Sequence, residues 1–380
     1  MINYGKHFID KKDLNGVISV LKSDHLTQGK RIDLFEKKLI KKFKCDYSAV
    51  VSSGTAALHL SSLALKWKKG DTVICSPITF VAAANCILYS AARPLFVDID
   101  IKNFNIDLNK IELILKKKKR IKAIIATDFA GNPCDWKNLN YLSRKYDFKL
   151  VNDNCHAIGA KYYGRIDYAT QFSDLVCHSY HPVKSITTGE GGAVLSNNQE
   201  LITKIKILRT HGILKNFERT KTPWLSKMVE LGYNYRLSDI SASLGITQLE
   251  KIEKFLNKRK RIANIYFKEL KNICEIQFQE IEKQNEHAFH LFPVLINFKK
   301  IKKTRSDMFK YFLKNGIVLQ VHYLPIYSHF FYKKKFNIMK KDFPNSEKFY
   351  NEEVSLPIFY TLKEIEVYKI VRLLKNFIYK

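Results

Sequence analysis

The chain has 380 residues, 46% of them hydrophobic, and is long enough to bury a sizeable core. Its 65 Lys and Arg residues against 36 Asp and Glu residues give a formal net charge of +29, but the basic residues are scattered through every surface segment. No helix-turn-helix, zinc-finger or single-strand-binding pattern accompanies this charge, so we expect no nucleic-acid partner. A phosphate-bearing substrate would still gain from the positive field.

The cysteines are widely spaced and include no C-x-x-C pair of the kind that metal and redox sites use. The sequence also has no stretch of about eighteen uncharged apolar residues and no apolar segment near Met1. We therefore expect a cytoplasmic protein with free thiols, no metal site and no membrane partner.

Apolar segments of strand length alternate with amphipathic segments of helix length through about the first 250 residues, as in βαβ units. The predicted strands are residues 49–52, 72–76, 94–97, 122–126, 149–152, 175–179 and 193–196. The predicted helices are residues 55–65, 81–90, 108–117, 136–145 and 200–210. We predict a large α/β domain at residues 1–250, built on a mixed or parallel sheet with helices on both faces.

From residue 239 to about residue 270 the apolar spacing predicts one long helix that connects to a second domain. The remaining sequence holds strand-like segments at residues 291–296 and 318–321 among helical patterns. This predicts a small α+β domain at residues 251–380. Because no low-complexity linker separates the two domains, we expect them to pack closely, with the functional site between them.

The first candidate for a functional site is Ser53-Gly54-Thr55, which follows a predicted strand and opens a predicted helix. Amides and hydroxyls at a helix N-terminus can bind a phosphate, and Gly54 lets the backbone approach closely. The alternative is an ordinary capped helix start.

The second candidate is Asp153, which ends the apolar strand at residues 149–152. The carboxyl edge of an α/β sheet is where ligands bind, so this carboxylate is well placed to point into a site. The alternative is that Asp153 caps the next segment.

The third candidate is Lys184, which lies on a turn between apolar strands, just before the glycine-rich residues 187–192. A lysine displayed in this way can react with a ligand through its amine. Most lysines are merely solvated, and the many basic residues of this chain make that alternative strong for any single one. In combination, however, a phosphate cradle, a strand-end carboxylate and a lysine meet the requirements of pyridoxal 5′-phosphate (PLP), whose pyridine nitrogen must be kept protonated.

The chain resembles the DegT-type sugar-nucleotide aminotransferases over nearly its whole length. The resembling stretches are residues 24–29 (DHLTQG), 51–60 (VSSGTAALHL), 76–85 (SPITFVAAAN), 153–159 (DNCHAIG), 179–184 (SYHPVK) and 232–236 (GYNYR). The resemblance implies the aspartate aminotransferase fold (fold type I), PLP as the cofactor, and a homodimer with shared active sites.

Carried over position by position, the resemblance implies that Lys184 forms a Schiff base with the cofactor and that Asp153 faces the pyridine nitrogen. It also implies that Phe80 stacks on the ring. The phosphate contacts that it implies are Gly54, Thr55, Ser179 and, from the neighbouring subunit, Asn234.

One departure concerns the residues around Asp153. The family usually has Glu-Asp-Ala before a small residue and a histidine, whereas this chain has Asn152, Asp153 and Asn154. Since the aspartate is retained, we expect activity, with altered packing beneath the ring. His156 is either a hydrogen-bonding residue on the cofactor side or a plain core histidine.

Other details resemble the branch of the family that works in pseudaminic acid biosynthesis, among them residues 129–134 (FAGNPC), 187–192 (TTGEGG), 321–325 (VHYLP) and 355–357 (SLP). This implies amination by L-glutamate of the C4 ketone of a UDP-linked 2-acetamido-2,6-dideoxy-hexos-4-ulose. The expected walls of the sugar-nucleotide groove are Tyr4, Leu26, Thr27, Gln28, Gly29, Ser179, His322, Tyr323, Leu324 and Pro325. The alternative for Tyr4 and Tyr323 is packing within the core.

Three other functions remain open. The first is a 4-aminotransferase for another nucleotide-linked keto-sugar. The second is a dehydratase of the same fold, which is disfavoured because those relatives replace the lysine with histidine, whereas Lys184 is present here. The third is a non-catalytic PLP-binding regulator, which is disfavoured because Lys184, Asp153 and Ser179 are all intact.

Overall fold

The computed structural model describes residues 1–117, 120–214 and 224–379. Its strands are β1 (Tyr47–Val51), β2 (Thr72–Cys75), β3 (Arg93–Phe96), β4 (Ala123–Thr127), β5 (Lys149–Asp153), β6 (Leu175–Ser179), β7 (Gly192–Ser196), β8 (Ile213–Leu214), β9 (Lys227–Met228), β10 (Ile276–Phe278), β11 (Phe292–Ile296) and β12 (Glu353–Leu356). Its α-helices are α1 (Lys11–Leu21), α2 (Lys30–Phe43), α3 (Gly54–Ala64), α4 (Ala82–Tyr89), α5 (Leu108–Lys117), α6 (Trp136–Tyr146), α7 (Tyr168–Phe172), α8 (Gln199–Leu208), α9 (Asp239–Leu249), α10 (Ile252–Leu270), α11 (Arg305–Lys314), α12 (Phe330–Lys335), α13 (Pro344–Glu352) and α14 (Glu364–Tyr379).

The large sheet has seven strands in the order β1-β7-β6-β5-β4-β2-β3. The strands from β6 through β5, β4 and β2 to β3 are parallel to one another, and β7 lies antiparallel to both β6 and β1. Strands β1, β4, β5 and β6 therefore end at one edge of the sheet, where β7 begins. In α/β proteins this is the edge that binds ligands.

Both faces of this sheet are buried. Because side chains alternate in direction along a strand, Val50, Ile74 and Ile124 enter a core with α2, α6 and α9. Their neighbours, such as Val51 and Val73, enter a second core with α3, α4 and α8. A sheet buried on both faces explains why its strands read as continuous apolar runs.

The predicted α/β architecture is confirmed. Each of the seven strands predicted in the large domain corresponds to one of β1 to β7, and the five helices predicted there correspond to α3 to α6 and α8. The mixed sheet with helices on both faces is the architecture that the sequence indicated.

The prediction of one long helix from residue 239 to about residue 270 is wrong. Two helices, α9 and α10, occupy this stretch, and they meet at Glu250 and Lys251. At the break, the Lys251 ammonium binds the fully buried carboxylate of Asp13 on α1, 2.5 Å away. The break was hidden because apolar residues continue across it, at Leu249 and Ile252.

The second sheet is antiparallel, in the order β10-β11-β12, and packs with α10, α11 and α14. The strand predicted at residues 291–296 corresponds to β11. The strand predicted at residues 318–321 is wrong, because the segment runs beside the free edge of β12 without forming a continuous ladder with it. This segment makes only isolated bridges, from Ile317 to Ile2 and from Gln320 to Ser355.

The N-terminus lies against the C-terminal part of the chain. Ile2 packs at the core of the second sheet, and the Tyr4 carbonyl accepts the Ile358 N–H at 3.1 Å. The division into domains at residues 1–250 and 251–380 stays a prediction. Within residues 1–117, 120–214 and 224–379, no helix combines the length and apolar character needed to cross a bilayer.

Candidate active site

A cavity of about 570 Å³ lies at the carboxyl edge of the large sheet, where the C-terminal part of the chain covers it. The predicted cofactor residues that line the cavity are Gly54, Thr55, Phe80, Asp153, His156, Ser179 and Lys184. The predicted substrate residues that line it are Tyr4, Ser179, His322 and Tyr323. Its size is in the range of pockets for small molecules.

One wall of the cavity is the start of α3. The Ser53 hydroxyl caps this helix by accepting the Ala56 N–H at 3.0 Å, as the ordinary helix-start alternative requires. The N–H groups of Gly54 and Thr55 have no partner in the part of the chain that the structure describes. Free amides at the positive end of a helix dipole can bind a phosphate, so the cap and the phosphate site are compatible.

Two glycines let three segments converge beside this helix start. A Cβ on Gly54 would lie 2.7 Å from the Cβ of Ser179, and a Cβ on Gly192 would lie 2.6 Å from the Ser53 carbonyl oxygen. Both distances are too short for real side chains. Only glycine therefore allows the start of α3, the end of β6 and the start of β7 to meet at the cavity.

Asp153, the last residue of β5, holds a buried carboxylate at the cavity wall. Its Oδ2 accepts the Thr127 hydroxyl at 3.3 Å, and its Oδ1 accepts the Cys155 N–H at the same distance. A carboxylate has about four acceptor positions, so these two bonds leave capacity for a further donor.

Lys184 follows β6 on a turn closed by its own N–H, which donates to the His181 carbonyl at 2.9 Å. Its Nζ lies 3.4 Å from Nε2 of His290. Burial lowers the pKa of the Lys184 ammonium, and the negative charge of Asp153 opposes this shift. A lowered pKa leaves more of the neutral amine, which is the nucleophilic form.

His156 lies at the cavity wall and is also hydrogen-bonded within the protein. Its Nδ1 accepts the Ala130 N–H at 3.4 Å, so the ring proton is on Nε2, which lies 3.1 Å from the Tyr323 hydroxyl oxygen. Burial, and next the charge of Lys184, lower the pKa of His156 well below its usual value. The imidazole is therefore neutral and held in one orientation.

Phe80 presents an uncovered aromatic face to the cavity. Its side chain is 55% exposed, and its ring centroid lies 6.2 Å from that of Tyr323. An exposed phenylalanine at a pocket mouth offers a flat apolar surface on which a ligand ring can stack.

Other predicted substrate residues do not line the cavity. Residues 26–29 lead into α2, and the Gly29 N–H donates to the Asp239 carboxylate at 2.8 Å. Leu324 and Pro325 follow the cavity residue Tyr323 in the chain. The substrate roles of these residues stay predictions.

Asn234 also lies outside the cavity. Its side chain is exposed, between Tyr233 and Tyr235, whose rings stack with centroids 5.1 Å apart. The carbonyl of Tyr235 accepts the Ser52 N–H at 2.8 Å, so this segment runs beside the start of α3. The predicted contact of Asn234 with a neighbouring subunit's cofactor stays a prediction.

The two asparagines that depart from the family pattern share one partner. The side-chain amides of Asn152 and Asn154 donate to Oδ2 of Asp128 at 3.3 and 3.0 Å, and the Tyr168 hydroxyl donates to the same oxygen at 2.7 Å. Burial raises the pKa of Asp128 to about 6. A buried network thus fixes the residues on both sides of Asp153.

Three residues that contact Asp153 or Lys184 were not predicted from the sequence, namely Thr127, Cys155 and His290. Thr127 ends β4 at the ligand-binding edge, so the rule that identified Asp153 would have found it too. Cys155 contributes only its backbone N–H to the bonding of Asp153, a role that any residue type could fill. His290 precedes β11 without any motif around it, and only the fold brings it to Lys184.

Comparisons with known proteins agree with this geometry. A family model described as the DegT/DnrJ/EryC1/StrS aminotransferase family matches residues 7–375. The chain is 41% identical over 358 residues to the UDP-4-amino-4,6-dideoxy-N-acetyl-beta-L-altrosamine transaminase of Campylobacter jejuni, covering 94% of this chain and 92% of that protein.

Solved structures with similar folds include the Helicobacter pylori PseC, described as an aminotransferase involved in the biosynthesis of pseudoaminic acid. Its TM-score is 0.91 at 32% identity, with 99% of each chain covered. Another is the PLP-form of the putative sugar aminotransferase Spr1654 from Streptococcus pneumoniae, with a TM-score of 0.89 at 26% identity over 98% of this chain and 97% of that one. The chain is therefore an aminotransferase of fold type I and belongs to the DegT/DnrJ/EryC1/StrS family.

Proposed function

We propose that this aminotransferase moves the amino group of L-glutamate to the C4 ketone of a UDP-linked 2-acetamido-2,6-dideoxy-hexos-4-ulose, as in pseudaminic acid biosynthesis, with PLP as its cofactor. The observation that carries the proposal is one cavity that holds Lys184, Asp153 and the free amides at the start of α3. The likeness to the Campylobacter jejuni transaminase supports the choice of sugar.

The residues of the cavity fit PLP. The group needs a phosphate site, a partner for the pyridine nitrogen, an apolar face for the ring and an amine for the aldehyde. The start of α3, the carboxylate of Asp153, the exposed ring of Phe80 and the amine of Lys184 provide these in turn. Gly54 supports the fit further, because a side chain there would collide with Ser179 and close the phosphate end of the cavity.

When bound, PLP supplies an electron-withdrawing pyridinium ring that weakens the C–H bond next to the amino group. Lys184 would hold the cofactor through its amine, and its free Nζ would carry a proton during the reaction. The lowered pKa of Lys184 favours this work, because the neutral amine can accept a proton. The same Nζ returns a proton to C4 of the sugar.

Asp153 would keep the pyridine nitrogen protonated. Its bonds to Thr127 and to the Cys155 N–H fix the direction of the carboxylate, and its remaining acceptor capacity can receive the ring N–H. In a buried position this charge interaction is stronger than in water.

The sugar side of the cavity is formed by Tyr4, His322 and Tyr323. The Tyr4 and His322 rings lie with centroids 5.3 Å apart, so together they can cover a sugar face and offer hydrogen bonds. The partly solvated Tyr4 and Tyr323 are compatible with this role as well as with packing.

Substrate preference tests the choice of sugar. We expect purified protein supplied with PLP and glutamate to aminate the UDP-linked 4-keto-6-deoxy-hexosamine in preference to dTDP-linked 4-keto sugars that lack the 2-acetamido group. Replacing His322 with alanine should raise KM for the sugar several-fold, while the half-reaction with glutamate proceeds normally, because that step does not use the sugar side of the cavity.

Product formation is followed by mass spectrometry. Equal use of dTDP-linked sugars would restrict the proposal to a 4-aminotransferase of broader range. Equal damage to both half-reactions in His322→Ala would remove His322 from the sugar site.

A homodimer with shared sites completes the proposal. Between residues 224 and 231 the chain leaves several large apolar side chains exposed, with Trp224 at 81% and Leu231 at 74%. Apolar surface of this kind favours an interface, and the exposed Asn234 follows it directly in the chain. A second copy could therefore receive Asn234 at its own phosphate site.

Subunit mixing tests the sharing of sites. A Lys184→Ala chain mixed with an Asn234→Ala chain should recover part of the wild-type activity, because one site of the mixed dimer escapes both changes. The matched control is Lys184→Ala mixed with Asp153→Asn, which damages both sites and should recover nothing. Absence of recovery in the first mixture, after demonstrated subunit exchange, would count against sharing.

A further inference from the structure

A chain of three buried polar groups ends at the sugar side of the cavity. The Nδ1 atom of His322 lies 2.9 Å from the Ser355 hydroxyl, which lies 2.6 Å from Oε1 of Glu353. The other carboxyl oxygen, Oε2, accepts the His322 backbone N–H at 2.9 Å. We call Glu353, Ser355 and His322 the relay.

The end of the relay farthest from the cavity is buried within the protein. Glu353 and Ser355 lie on β12 and are at most 1% exposed, and within the described chain no lysine or arginine forms an ion pair with Glu353. Arg305, whose positive charge acts on Glu353, donates to the Glu353 backbone carbonyl at 3.4 Å and not to the carboxylate. On the cavity side, Nε2 of His322 has no hydrogen-bond partner among the described residues.

Each hydrogen bond of the relay needs one donor and one acceptor, so the protonation of Glu353 fixes the direction of the bonds that follow it. If Glu353 is ionised, Ser355 donates to it, so Ser355 must accept from His322 and the imidazole proton lies on Nδ1. If Glu353 is protonated on Oε1, it donates to Ser355, which then donates to Nδ1, and the imidazole proton lies on Nε2. The two states differ by one proton. To pass from the ionised to the protonated state, the relay takes up one proton at Nε2 of His322. The Nδ1 proton then moves to Ser355, and the Ser355 proton moves to Glu353.

We propose that Glu353, acting through Ser355, decides which ring nitrogen of His322 carries the proton, and thereby whether His322 presents a donor or an acceptor to the cavity. Glu353 and Ser355 are in this sense positioning residues. A donor at Nε2 suits the oxygen-rich surface of a nucleotide-linked keto-sugar, and this consequence rests on the function proposed above. The choice of tautomer by Glu353 does not depend on that function.

The surroundings of the relay favour, at neutral pH, the state in which Glu353 is protonated and Nε2 of His322 is a donor. Burial raises the pKa of Glu353 to about 8, although the hydrogen bonds from Ser355 and from the His322 backbone, and then the charge of Arg305, oppose this shift. Burial, and next the charge of Lys184, lower the pKa of His322 to about 3, so this imidazole stays neutral. The other titratable groups that face the relay are Tyr4 and Tyr323, beside the His322 ring, and His156 and His290, whose pKa values are lowered by burial first and in part by the charge of His322. The carboxyl group should therefore lose its proton near pH 8, and the imidazole proton should move from Nε2 to Nδ1.

The test is ¹⁵N NMR of the purified protein labelled at its histidine rings, which reports directly which nitrogen is protonated. The His322 signal is identified by its loss in His322→Gln. Between about pH 6 and about pH 10 we expect the wild-type proton to move from Nε2 to Nδ1. In Glu353→Gln the amide donates to Ser355 at every pH, so the proton should stay on Nε2 throughout.

The matched control is Glu352→Gln, since Glu352 is the half-buried neighbour of Glu353 and lies outside the relay. It should keep the wild-type transition. A wild-type tautomer that does not change across this range, or a Glu353→Gln protein that still switches, would overturn the proposal. If Glu353→Gln fails to fold, the wild-type titration and Ser355→Ala, which should abolish the transition, decide the question. No substrate is needed, so failure of the proposed function would not affect this result.

Discussion

Replacing Lys184 with alanine is expected to lower amino transfer by more than about 10³-fold, because both covalent attachment of the cofactor and proton transfer depend on this amine. Lys184 is the lysine of the described cavity, and its Nζ is held beside His290 at 3.4 Å. In the wild-type protein, borohydride reduction in the presence of PLP should fix a pyridoxyl group on Lys184. Peptide mapping by mass spectrometry measures the position of the label.

The control is Lys149→Ala, which removes an exposed lysine at the start of β5 that pairs with Asp174 on the surface. That variant should keep its activity and its labelling. A pyridoxyl group on any other lysine, or a Lys184→Ala protein with ordinary turnover, would refute the assignment of Lys184.

Replacing Asp153 with asparagine is expected to slow both half-reactions by about 10³-fold while leaving the fold intact. The amide has nearly the shape of the carboxylate but cannot supply the negative charge that keeps the pyridine nitrogen protonated. Single-turnover kinetics with glutamate measure the effect. Circular dichroism checks the fold.

The matched control is Asp147→Asn, an exposed position two residues before β5 with a left-handed backbone (φ 50°) that asparagine tolerates well. It should leave the rates unchanged. Near-normal rates in a folded Asp153→Asn protein would remove this carboxylate from the mechanism.

Much of the fold could be predicted because the large sheet is buried on both faces. Its strands are therefore short apolar runs, such as the one that ends at Asp153, separated by amphipathic helices. The break between α9 and α10 could not be predicted, because apolar residues continue across it and the contact made there, between Lys251 and Asp13 on α1, is visible only in the fold. The segment at residues 318–321 has a strand-like sequence, but it meets the free edge of β12 only at the single bridge from Gln320 to Ser355.

Some residues of the candidate site could be predicted from the sequence, and others could not. Gly54 starts α3, Asp153 ends β5 and Lys184 lies on the turn that follows β6, so local sequence was enough to predict that they lie at the ligand-binding edge. His290 could not be found, since only the packing of the second sheet brings it to Lys184. The pairing of His322 with Ser355 was equally hidden, because the two residues meet through tertiary structure.

The central claim is that one chain carries nitrogen from an amino acid to a keto-sugar, and an isotope label follows that nitrogen directly. The protein would be incubated with PLP, [¹⁵N]glutamate and a UDP-linked 2-acetamido-2,6-dideoxy-hexos-4-ulose, and the nucleotide sugar analysed by mass spectrometry. We expect a 4-amino sugar that carries ¹⁵N, with one 2-oxoglutarate formed for each sugar aminated and no label transferred by Lys184→Ala. An unlabelled sugar after glutamate has been consumed, or labelled sugar formed by Lys184→Ala, would contradict it.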